Sequence, residues 1–121
     1  MKKGILALIA LAFAACQPEG GIVSSPDGTI QLEVDLTASG ALEYAVRFDG
    51  DELVEKSKLG FDFANAEDLL EGFKVKTIDV QKVEENYTMQ WGANESVKAE
   101  SNEMTLRVLQ TETGRELGII F

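Results

Sequence analysis

The sequence predicts an all-β fold, an antiparallel β-sandwich, on three observations. Apolar and polar residues alternate with a period of two through several stretches, as a strand with one buried face requires. Dipeptides suited to tight turns, Asp27-Gly28, Ser39-Gly40, Asp49-Gly50 and Thr113-Gly114, separate those stretches at short intervals. A helical turn is offered only by residues 65–71, where Asn65 is placed to cap it and Gly72 to terminate it. About ten short extended segments at regular spacing point to a sandwich or a barrel.

Composition narrows the chemistry. A chain of 121 residues with 45% apolar and 26% charged residues is a single folded domain rather than a disordered tail. Its formal charge of −10 repels a phosphate backbone and excludes nucleic acid as a partner. Histidine is absent and cysteine occurs once, which removes histidine triads, imidazole metal sites and any intramolecular disulfide. Carboxylate, lysine, hydroxyl and backbone chemistry remain.

Residues 1–15 stand apart from the fold. MKKGILALIALAFAAC sets two lysines before an unbroken apolar run and ends in small residues ahead of Cys16, the layout of an export signal. The run is too short to span a bilayer stably. Small residues before a cysteine resemble a bacterial lipobox, in which the cysteine is acylated and becomes the mature N-terminus; Phe13 stands where leucine is usual. The expectation is a lipoprotein signal peptide at 1–15, lipid attachment at Cys16, a tether at 16–21 and a β-sandwich domain at 22–121. The protein is then exported and membrane-anchored, on the periplasmic or cell-surface side of the bacterial outer membrane. The rival readings of Cys16 are a plain signal peptide with a free thiol and a redox or metal cysteine, the latter disfavoured by a lone cysteine without histidine. Acyl chains contribute about 0.8 kcal/mol per buried methylene, whereas the acidic surface opposes adsorption to anionic lipid, so the membrane contact is the anchor alone.

The strands follow in order. Ile30, Leu32, Val34 and Leu36 alternate with Gln31, Glu33, Asp35 and Thr37. Leu42, Tyr44, Val46 and Phe48 repeat the pattern, and the link at 37–41 suits a hairpin between the two. Residues 52–63 read as two short extended pieces broken near Ser57. Residues 73–84 read as a longer strand whose apolar phase slips between Val75 and Ile78, the mark of a bulge. Met104, Leu106 and Val108 alternate with Glu103, Thr105 and Arg107, and residues 115–121 form a last strand. GRELGIIF ends on an apolar run, so the strand is expected to continue past Phe121 and the domain to be incomplete at its C-terminus.

Taken in order, Ser25-Pro26-Asp27-Gly28, Gly40, Leu42, Tyr44, Val46, Asp49-Gly50, Ser57, Leu59-Gly60, Gly72-Phe73, Val75, Trp91-Gly92 and Asn102-Glu103 resemble the N-terminal domain of glycoside hydrolase family 97. The resemblance runs from about residue 23 to Phe121. Ala99 and Ser101 stand where the family usually has asparagine and tyrosine. It implies a truncated part of the N-terminal super-sandwich of a bacterial α-glucosidase or α-galactosidase, packed on a catalytic (β/α)8 barrel that holds the catalytic carboxylates and most of a calcium site. The chain alone is then non-catalytic and without a cofactor, calcium belongs to the full-length enzyme, and α-linked oligosaccharides are its ligands. The alternative is a free-standing carbohydrate-binding surface lipoprotein.

Individual residues are weighed on that basis. Glycosidases need two carboxylates about 5 to 9 Å apart, whereas Glu95 and Glu103 on a straight strand stand about 26 Å apart. They read as a solvated face, with Asn102 and Glu103 as contacts to the missing domain. Trp91 has three readings: a core anchor, a contact to the barrel, or a platform for a sugar ring. Tyr44 and Phe48 lie on an apolar phase and are expected in the core. The acidic run FDGDELVE reads as a hairpin turn, since it lacks the pattern of a calcium loop. No catalytic or metal-binding residue is assigned.

Overall fold

The computed structural model describes residues 19–92 and 96–121. The signal segment, Cys16, the first part of the tether and Glu95 lie outside the described residues. Seven strands make two antiparallel sheets: β1 (Gly20–Ser24), β2 (Ile30–Leu36), β3 (Leu42–Phe48) and β4 (Asp51–Leu59) in one, β5 (Phe73–Thr88), β6 (Ser96–Gln110) and β7 (Glu116–Ile120) in the other, each ordered as in the chain. The all-β sandwich expected from the alternation is the fold observed.

Burial follows the period of two in β6, whereas in β3 Ala45 is buried on the opposite phase from Leu42. Val34 from β2, Leu42 from β3 and Met104, Leu106 and Val108 from β6 are the largest fully buried side chains, with Val23 and Phe73 completing the core. Leu32, Leu36, Tyr44, Ile78, Leu117 and Ile119 pack around it. Several contacts among the described residues join the sheets. The Asn102 amide donates to the Ser24 carbonyl at 2.7 Å, the Phe73 N–H donates to the Gly40 carbonyl at 2.9 Å, and Gly21 lies so close to Met104 that an added Cβ would stand 2.9 Å from its sulfur.

Several details differ from the sequence reading. Strand β1 starts at Gly20, so Gly20 and Gly21, expected in the tether, pair with Asp35 and Val34. Residues 51–59 form one strand, not two pieces; register shifts opposite Val46 absorb the irregularity near Ser57. No helical turn forms at residues 65–71, since Phe61 and Leu69 exchange backbone hydrogen bonds and close the segment into a loop. The ten expected segments resolve to seven strands and this bridge. Phe48, expected in the core, is 50% exposed because it lies in the outermost row of its sheet, opposite Ile30. The bulge in β5 falls where the phase slips, between Val75 and Thr77.

Candidate functional site

The longest hairpin sets the geometry. β5 and β6 stay paired from Phe73↔Gln110 to Thr88↔Ser96, and among the described residues the hydrogen bond to the first sheet falls at Asn102, whose partner across the hairpin is Lys82. Six further residues in each strand project past the sandwich as a two-stranded arm of about 20 Å. An isolated two-stranded ribbon is marginal in water, so its side chains must hold it. On the face continuous with the core, Lys82 meets Glu84 at 2.9 Å and Glu100 at 3.6 Å, and Lys98 meets Glu100 at 2.5 Å and Glu84 at 3.8 Å. Hydrogen bonding to Lys98 and the charge of Lys82 hold the Glu100 carboxyl below its usual value, while hydrogen bonding to Glu84 and the Glu100 charge raise Lys82. Exposed pairs of this kind contribute little each; here four charges form a closed network. The opposite face carries Val83, Tyr87, Val97 and Ala99, with Tyr87 directly across from Val97.

Trp91 lies just past the end of β5 and is 86% exposed. The core reading for it is therefore overturned, and the contact readings remain. Asn102 spends its amide on the tie to Ser24, and Glu103 accepts from Gln81 at 2.9 Å on the other face of β6. The three residues do not converge, because Asn102 lies at the root of the arm and Trp91 near its far end.

One carboxylate pair escaped the sequence reading. Asp62 and Asp68 share a hydrogen bond that, with the Asp68 charge, raises the Asp62 pKa. No sequence signal marks them, since the loop closure that joins them is tertiary. Carboxylates in direct hydrogen-bond contact leave no room for the scissile bond that a glycosidase pair must flank. Beside them lies an open cavity of about 410 Å³ lined by Lys58, Leu59, Asp68, Leu70, Glu71 and Glu112 among others. Gln110, buried at its wall, has its amide fully used on the Asp68 and Glu71 carbonyls and on Thr113 and Arg115. Among the described residues no group of three or more acidic, cysteine or histidine side chains converges to hold a metal ion.

The described residues thus form a two-sheet antiparallel β-domain with a projecting two-stranded arm. Residues 23–121 match the model of the family described as glycosyl-hydrolase 97 N-terminal, and the chain belongs to that family. A β-arabinopyranosidase crystal structure is similar at 30% identity and a TM-score of 0.72, over 84% of this chain and 16% of its own. A family 97 glycoside hydrolase from Pseudoalteromonas sp. strain K8, solved with acarbose, is similar in fold at 24% identity and a TM-score of 0.68, over 83% and 14%. A family 97 glycoside hydrolase (E480Q) from the same strain, solved with panose, gives 23% and 0.67, over 83% and 14%. The chain thus spans about a sixth of the length of these solved enzymes. Comparison with curated proteins finds no match.

Proposed function

We propose that this chain is the scaffold portion of an exported family 97 glycoside hydrolase, packing on a catalytic (β/α)8 barrel and taking no part in bond cleavage itself. The match of residues 23–121 to the N-terminal family carries the reading. In the full-length enzyme the substrate is a terminal α-glucoside or α-galactoside. The acarbose and panose bound by the Pseudoalteromonas enzyme support an oligosaccharide ligand, and the β-arabinopyranosidase adds a pentopyranoside to the candidates. Calcium belongs to the full-length enzyme, mostly on its barrel side. Acylation of Cys16 anchors the protein on the periplasmic or cell-surface side of the outer membrane.

The purified chain, assayed on nitrophenyl α-glucoside, α-galactoside and arabinopyranoside, is expected to give no turnover. Hydrolysis that disappears on substitution of Asp62 or Glu103 would sink the scaffold reading. The exposure of Trp91 favours a second reading, a free-standing carbohydrate-binding lipoprotein. Titration with maltooligosaccharides decides it: a saturable change in Trp91 fluorescence supports binding there, and a flat response rejects it.

A further inference from the structure

Strand register determines which end of the sandwich receives the chain. Gly20, Asp35, Glu43 and Lys58 form one row across the first sheet, and the Leu36 N–H donates to the Glu19 carbonyl at 3.1 Å. Gly60 follows the last residue of β4 and opens the loop of residues 60–72, so the loop leaves the sheet at the end where Glu19 enters. The two points are three strand spacings apart, about 14 Å.

That loop displays Phe61, Phe63 and Leu70, 48%, 41% and 43% exposed. The two rings stack with centroids 6.1 Å apart. The loop is pinned: Phe61 and Leu69 exchange backbone bonds of 3.0 and 2.8 Å, Gln110 donates to the Asp68 and Glu71 carbonyls, and Arg115 donates to those of Glu67 and Asp68. The apolar groups are therefore held outward by the fold. At the opposite end stands the arm. From Phe73↔Gln110 to Thr88↔Ser96 the hairpin runs about 50 Å, and the Phe73 end packs on Gly40, beside the chain entry.

We propose that in the anchored protein the entry end lies on the membrane, with Phe61, Phe63 and Leu70 seated at the lipid–water interface and the β5–β6 arm with Trp91 pointing away. The inference rests on the acylation of Cys16 proposed above. From Cys16 to Glu19 the chain reaches at most about 11 Å, so the lipid and this end of the sandwich cannot be far apart. Aromatic rings suit the interfacial layer. The neighbouring acids Asp62, Glu67, Asp68 and Glu71 are repelled by anionic headgroups, which makes the occupant a zwitterionic surface.

The test uses the acylated chain in phosphatidylcholine vesicles whose acyl chains carry bromine as a contact quencher. Two reporters are compared, native Trp91 and a Phe61→Trp reporter in a Trp91→Phe background, with Phe63→Trp as a second reporter should the first fail to fold. The loop reporter is expected to lose fluorescence at least about twofold to brominated lipid and to be shielded from iodide, as an interfacial side chain would be. Trp91 is expected to do the reverse. A loop reporter open to iodide and unquenched by lipid overturns the proposal while leaving the anchor intact. Shielding from both quenchers marks a protein contact at the loop and overturns it as well. An intact mass without acyl chains overturns the anchor reading and this proposal with it.

Discussion

Met104 is fully buried at the centre of β6, between Leu106 on its own strand and Gly21 across the sheets. Met104→Ala leaves a cavity that its rigid neighbours cannot fill and is expected to cost about 2–5 kcal/mol in a urea titration. A surface residue is read through its hydrogen bonds instead. The Asp27 carboxylate accepts from the Ser25 hydroxyl at 2.5 Å, the Thr29 hydroxyl at 2.9 Å and the Thr29 N–H at 3.1 Å, and these bonds, the Ser25 hydroxyl foremost, lower its pKa from the ordinary 3.8. A folded pKa below the unfolded one means the stabilisation is present above pH 3.8 and is lost as pH falls through the folded value. Asp27→Asn removes this titrating contribution. Unfolding midpoints followed from neutral to strongly acidic pH should therefore fall less steeply for this variant than for the parent, and parallel curves would reject the assignment.

At the scale of elements, two glycines with the same backbone angle separate conformation from space. Gly28 and Gly40 both have φ of 76°, but an added Cβ at Gly28 meets nothing, whereas at Gly40 it stands 2.8 Å from the Phe73 nitrogen and oxygen. Gly28→Ala is expected to cost about 1 kcal/mol through backbone strain alone. Gly40→Ala should cost clearly more, because it also prises apart the backbone bond between the sheets; equal midpoints for the two variants would contradict this. The same contrast between local and tertiary causes explains what was legible in the sequence. β2 and β3 are legible because apolar residues recur at every second position, Ile30 to Leu36 and Leu42 to Phe48, and the β5 bulge shows as a slip of phase. β1 is not, since Gly-Gly-Ile-Val-Ser has no pattern of its own and takes its register from β2. The sequence pattern ends β5 at Glu84, short of Thr88, because the arm beyond buries little and is held by pairing and ion pairs rather than by a core. The sequence leaves three readings of Trp91 open for a related reason: a large aromatic predicts burial only where a facing sheet exists to cover it, and Trp91 is 86% exposed.

At the scale of the whole molecule, two long-range tendencies oppose one another. Among the described residues the outer strands are β1 and β4 in the first sheet and β5 and β7 in the second, and Leu53 on β4 and Ile120 on β7 are 69% and 65% exposed. Unpaired edges bearing apolar side chains recruit strands of other copies. The charge of −10 holds copies apart. Which effect wins depends on screening, because the Debye length shrinks from about 10 Å at 0.1 M salt to about 3 Å at 1 M, while the attraction between edges is short-ranged and strengthens with excluded salts. The chain is therefore expected to sediment as a monomer at low salt and to associate as sodium sulfate is raised, with Leu53→Lys and Ile120→Lys each reducing the associated fraction. If association does not depend on salt, charge is not what restrains it; if it depends on salt but both lysine variants match the parent, the contact lies elsewhere than the edges of β4 and β7.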